Sequence, residues 1–176
     1  CAEGVESAVF CTAMFSRPGP DAVGGIPVRR YRYLFPWFGL SGDATQQLRL
    51  KGGNPLSLPL FFGLLRDKEL SLIHTHVQHR LGGMARTAAK WKRIPYVVTV
   101  HGGYYTLPRE QVCSMVRPVR GRFEWGRAFG LLFGARRVLE DAHAIICVGQ
   151  NEYQEMRKHY PAGKVFYLPN GVSVER

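Results

Sequence analysis

Three short, mostly apolar, strand-like runs constrain this chain more than any other feature. They are residues 70–75 (LSLIHT), 95–100 (PYVVTV) and 143–148 (HAIICV). A strand that is wet on one face alternates in polarity. A strand that is apolar throughout needs cover on both faces, as the strands of parallel sheets have. Between and after these runs lie segments of helical character: residues 81–92, rich in Ala and Arg; residues 124–141, with Phe129, Leu132, Phe133 and Arg136 at helical intervals; and residues 151–159. Residues 164–168 supply a last strand before Pro169. Strands alternating with helices predict an α/β fold with a Rossmann-like, mostly parallel sheet covered by helices on both faces. The chain of 176 residues fits one domain of this kind, spanning 1–176.

The alternation is weaker before residue 70. Residues 6–14 read as a buried strand, 17–21 (RPGPD) as a turn, and 27–33 as an edge strand of mixed polarity. Residues 34–51 read as a loop with a short helix. A helix is expected over 55–67, with Asn54 as N-cap and Pro55 as its first residue. Lys51-Gly52-Gly53 lacks the spacing of a phosphate-binding Walker loop and reads as an ordinary turn before that helix.

Residue 1 is Cys rather than Met, so a processed or truncated start is expected. The four cysteines show no paired spacing, and Cys11 and Cys147 sit in apolar runs, which points to a reducing, cytoplasmic compartment. No apolar run approaches the roughly 18 residues of a membrane span. The formal net charge of +11 attracts anionic partners without choosing among them. Basic residues interleaved with surface aromatics in an RNA-binding pattern are absent, as is zinc-finger spacing, so nucleic acid is not expected as a partner. Residues 117–137 hold six arginines against one glutamate, with Phe123, Trp125 and Phe129 among them. This is either a basic-aromatic helix for an anionic membrane surface or a core-facing aromatic stripe with a solvated basic face. The second reading is favoured for the aromatics, and the arginines stay open.

In an open parallel sheet, ligands bind beyond the carboxyl ends of the strands. Three strand ends here turn abruptly polar: His74-Thr75-His76-Val77-Gln78-His79, Thr99-Val100-His101-Gly102-Gly103, and Cys147-Val148-Gly149-Gln150-Asn151-Glu152. Glycine at a strand end lets a ligand approach the backbone, and helix amino-termini beyond offer free N–H groups to anions. The pattern describes a polar crevice suited to a sugar or a phosphate, with His101 as its leading residue. His74 and His76 share one side of a strand and, with His79, raise a metal reading. No carboxylate nearby in sequence completes such a site, so no metal is expected; His74 is expected to pack and His76 to line the crevice. Gly82-Gly83 is either a close-approach loop or a flexible helix entry.

The runs IPYVVTVHGG (94–103), DAHAIICVGQNE (141–152) and KVFYLPNGV (164–172) resemble, in order and spacing, the amino-terminal domain of family 4 glycosyltransferases. The likeness is close over about residues 68–174, and GIPVRRY (25–31) resembles the family's edge strand. The resemblance implies the amino-terminal, acceptor-side half of a GT-B fold. It also implies a retaining enzyme that uses a nucleotide-sugar donor and a glycan or lipid-linked acceptor, with no cofactor or metal. It implies that His101 contacts the donor sugar near the reacting centre and that Asn170-Gly171 leads to the interdomain hinge. Gly102, Gly103, His76 and Glu152 would lie near the cleft. Peripheral contact with an anionic membrane on the cytoplasmic side fits such acceptors. The chain departs from the family pattern in two ways. The family's first strand and Gly-rich loop have no counterpart, which should leave a gap or an exposed edge in the sheet. The carboxy-terminal domain, which carries the basic pair and the E-x7-E element, is also absent, so the chain is expected to be inactive alone. The alternative is a non-catalytic module for an anionic or phosphorylated ligand.

Overall fold

The computed structural model describes residues 4–51, 53–102 and 108–171. Its centre is a four-stranded, all-parallel sheet formed by β4 (Ile73–Thr75), β5 (Tyr96–Val100), β6 (Ala144–Cys147) and β7 (Val165–Tyr167), in that spatial order. The register runs Thr75↔Val98, Val100↔Cys147 and Cys147↔Tyr167, so the carboxyl ends of the strands share one edge. β5 is buried almost throughout, with Val98 and Val100 against the core and Thr99 on its other face. The expected Rossmann-like parallel sheet is therefore present, built from the apolar runs that predict it.

A second sheet has the order β1 (Val9–Thr12), β3 (Ile26–Tyr31), β2 (Gly19–Val23). β1 and β3 are parallel, and β2 returns antiparallel to β3. Residues 17–21 are therefore more than a turn. The hairpin reverses at Gly24 and Gly25, whose φ values of 58° and 79° suit the left-handed turns that match strand twist. β3 is the central strand rather than an edge. Its mixed polarity has a local reason: Arg29 pairs with Asp67 at 2.6 Å and Arg30 with Asp21 at 2.8 Å. β1 and β4 are outer strands of separate sheets, unpaired with each other among the described residues.

Six α-helices are described: α1 (Gly42–Leu50), α2 (Leu58–Arg66), α3 (His79–Lys92), α4 (Arg109–Val116), α5 (Arg127–Leu132) and α6 (Gln150–His159). α2 starts three residues later than expected. Its N-cap is Ser57, whose Oγ accepts from Leu60 N at 3.3 Å and donates to Arg32 O at 2.7 Å, tying the helix to the end of β3. Gly53 follows α1, its N–H donating to Leu48 O, so Lys51 and Gly53 mark a helix exit. The long helix expected over 124–141 is broken. Gly134 has φ 61° and separates α5 from a short 3-10 turn at Ala135–Arg137. A Cβ at Gly134 would also sit 2.5 Å from Arg86 Nη1.

α3 is the hub of the packing. Met84, Ala88 and Ala89 are fully buried, and Phe61 of α2 meets Phe133 with ring centroids 4.8 Å apart. Gly82 and Gly83 lie inside α3 and serve close approach. A Cβ on Gly82 would lie 2.4 Å from Val77 O, and one on Gly83 would lie 2.9 Å from Phe133 O. Arg86 donates to Asp141, and Lys90 reaches the same carboxylate at 2.6 Å. Burial pushes the Asp141 carboxyl up, but the hydrogen bonds from Lys90 and Arg86 outweigh it and leave the pKa lowered. Trp125 and Phe129 pack against the core, whereas Phe123 is exposed and stacks on Phe38 at 6.0 Å. The core-facing reading thus holds for two of the three aromatics.

Because Val77 O is backbone and cannot swing aside, Gly82→Ala should destabilise the domain by roughly 1–3 kcal/mol. Gly163→Ala, with no atom within 4 Å of the added carbon, should stay within about 0.5 kcal/mol of wild type. Urea denaturation of both variants checks the contrast.

Candidate functional site

The carboxyl edge of the parallel sheet gathers three histidines. Register explains how. His74 pairs with Val97, and side chains on one face recur every second residue, so His74 and His76 share a face with Thr99 and His101. Each β4 histidine reaches diagonally to the residue two places further along β5. His74 Nε2 lies 2.6 Å from Thr99 Oγ1, and His76 Nδ1 lies 2.8 Å from His101 Nε2. The rings form a short stack, with centroids 4.4 Å apart for His74–His76 and 5.1 Å for His76–His101.

All three rings are exposed, so His74 is at the surface rather than packed as expected. Burial, and then the His101 charge, lower the His74 pKa; burial, then His74 and His101, lower that of His76. Two imidazoles joined Nδ1 to Nε2 share one proton in their neutral forms. If His76 donates, the remaining proton of His101 sits on Nδ1 and is free for a ligand. If His101 donates, His76 Nδ1 accepts, the His76 proton sits on Nε2, and His101 Nδ1 becomes an acceptor. The pair can therefore donate to or accept from a sugar hydroxyl without a formal charge. Among the described residues, no group of three or more His, Cys, Asp or Glu is arranged to hold a metal ion.

Gly102 follows His101 with φ 100°, a conformation that favours glycine, and among the described residues nothing lies within 4 Å of where its Cβ would be. Gly103 lies outside the described residues. Glu152 is in the first turn of α6, 2% exposed, where its charge suits the helix amino-terminus. Burial, followed by the Glu152 charge, pushes the Cys147 thiol up to about 11. Glu152 therefore faces inward at the β6 end. Asn170 and Gly171 are exposed beyond β7. His79 does not join the cluster: it opens α3 at φ 57° and lines a separate cavity.

Sequence reasoning missed the coupling of His74 to Thr99 and of His76 to His101. The signal available was a polar Thr99 inside an otherwise apolar strand. The pairing itself needed the strand register.

His74 and His76 bind protons less readily folded than unfolded. The stability they contribute is complete above the ordinary histidine value of 6.5 and declines as pH falls below it toward the lowered folded values. Unfolding free energy should therefore drop on acidification from pH 7 to 5. The His74→Asn/His76→Asn variant should show a flatter profile over the same window in chemical denaturation.

A family model described as the glycosyl transferase 4-like domain matches residues 1–171. No curated protein matches the chain. The parallel sheet, the histidines at its carboxyl edge and a family match spanning nearly all of the sequence agree, and the chain belongs to the glycosyl transferase 4-like domain family.

Proposed function

We propose that this glycosyltransferase domain is the acceptor-side half of a retaining enzyme. In this reading the enzyme moves a sugar from a nucleotide-sugar donor to a glycan or lipid-linked acceptor. The observation that carries it is His101. It is exposed where a buried strand leaves the sheet, held by His76 at 2.8 Å, and followed by Gly102 in a backbone conformation that favours glycine.

The chemistry asked of such a wall is modest. Breaking the bond to a nucleotide diphosphate develops charge on the leaving group and on the sugar. Positioned donors that meet this charge lower the barrier. His101, with its proton placement fixed by His76, would hold the donor sugar by a hydroxyl near the reacting carbon. His76 would act as a positioning residue for His101. Glu152, buried behind the neighbouring strand end, would support the β6–α6 turn, and the turn at Asn170-Gly171 would lead toward a second, donor-binding domain. The groups that neutralise the diphosphate would come from that second domain, so this half would bind acceptor but not transfer sugar by itself. No metal or cofactor is required by this scheme.

No helix among the described residues is long and apolar enough to cross a membrane. Work at the cytoplasmic face on a lipid-linked acceptor would therefore proceed by surface contact. The exposed Phe38–Phe123 pair and the arginines near it are the surface available for that contact.

His101→Ala, made in an enzyme carrying both domains, should lower kcat by roughly 10²–10³ while leaving the thermal midpoint unchanged. His76→Gln should cost less and should shift the pH profile of kcat, because it removes the partner that fixes the His101 tautomer. Wild-type turnover in His101→Ala would sink the reading.

A further inference from the structure

A cavity of about 500 Å³ opens beside the start of α3, lined by Asn54, Gln78, His79, Arg80, Arg127 and Arg136 among others. Its floor is Arg80, which is 1% exposed. The charge of Arg80 is already answered: Nη1 donates to Glu124, Nη2 donates to Asn54 O, and the guanidinium lies 5.0 Å from the centre of the Trp37 ring. Its Nε–H is buried and has no acceptor among the described residues. Glu124 also lines the cavity, but its charge is paired with Arg80.

The rim is different. Arg127 and Arg136 are exposed and form no ion pair or hydrogen bond among the described residues. Asn54 spends its Oδ1 on Arg80 N at 3.1 Å, which leaves its amide N–H groups to donate. The His79 pKa is lowered by burial and then by Arg80, so near neutral pH this ring is a hydrogen-bonding group and not a third cation. Two free guanidinium forks, two amides and a neutral imidazole therefore face one space, and the only carboxylate on its walls is taken.

We propose that this cavity binds a phosphoryl group, with Arg127 and Arg136 holding its oxygens and Asn54, Gln78 and His79 donating around it. Guanidinium forks match phosphate oxygens in pairs, and the number of donors exceeds what a two-oxygen carboxylate would use. The volume is larger than a bare phosphate needs and leaves room for the organic group that carries it. That carrier is either a soluble phosphate ester or a lipid headgroup. The site is distinct from the histidine cluster and does not depend on glycosyl transfer.

The test is calorimetric titration of the intact protein with inorganic pyrophosphate at low ionic strength. It is paired with sedimentation on phosphatidylcholine vesicles with and without phosphatidate. The variants are Arg127→Gln, Arg136→Gln, their double, and Arg17→Gln as an exposed arginine outside the cavity, each checked by thermal melting. Wild type and Arg17→Gln should bind saturably, and the double variant should bind at least about tenfold more weakly. Each single variant should show a partial loss, which keeps the test standing should the double fail to fold. Binding of pyrophosphate alone assigns a soluble ester, and binding of phosphatidate vesicles alone assigns a headgroup. Equal binding by wild type and the rim variants, or no saturable binding of either probe, overturns the proposal.

Discussion

The burial of Arg80 is the constraint on which most of the structure turns. A guanidinium removed from water must be answered by acceptors, because an unpaired buried charge is far more costly than the pair is beneficial. Here the answers come from three places distant in sequence: Glu124, the Asn54 carbonyl and the Trp37 ring. The loop around Pro36 and Trp37, the turn at Asn54 and the segment at Glu124–Gly126 are therefore fixed to one point. Gly126 is part of the same solution, since a Cβ there would fall 2.2 Å from Pro36 Cγ and 3.1 Å from Arg80 Nη1. Asn54 also closes the helix start from outside. Gln78, the residue in the N-cap position, makes no side-chain capping bond, and Asn54 Oδ1 takes the Arg80 N–H instead.

A second clamp fixes the other half of α3. Asp141 accepts from Arg86, Lys90 and Arg137, and it stands two residues before His143, whose N–H bonds Tyr96 O as the chain enters β6. The main chain at Phe133 is gripped by Thr87 Oγ1 at 3.0 Å and approached closely by Gly83. With both ends of α3 held, the short link from β4 to α3 has little freedom. That link carries His76. Ion pairs and glycines that touch neither ring thus reinforce the strand register that sets His76 against His101.

The parts of this fold that were legible in the sequence are those in which one segment's own composition decides its fate. The runs that became β5 to β7 are mostly apolar with little alternation, which suits strands of a covered parallel sheet. His101 was visible because a buried strand that ends in His and Gly is locally odd. What could not be read depends on meetings between segments. Pro18, Gly19 and Pro20 look like punctuation, yet Gly19–Val23 pairs with β3 because Gly24 and Gly25 allow the reversal. The helical spacing from Phe129 to Arg136 is real, but the close approach of Arg86 demands a left-handed glycine at 134 and breaks the helix there. Arg80 sits in an arginine-rich chain, and nothing in its neighbours marks it for burial.

The histidine cluster is rigid below and open above, and that asymmetry bears on how it could work. His76 and His101 are placed by sheet register, so their hydrogen bond exists before any ligand arrives, and no reorganisation is needed to orient the free nitrogen of His101. Burial, then the His74 and His101 charges, lower the His76 pKa, so near neutral pH this ring offers direction rather than charge. The rings are nevertheless exposed, and glycosyl transfer must keep water from competing with the acceptor. A site of this shape can serve as one wall of a reaction cleft. Under the function proposed above, the enclosing surface, and the charge that a departing nucleotide diphosphate needs, would come from a second domain.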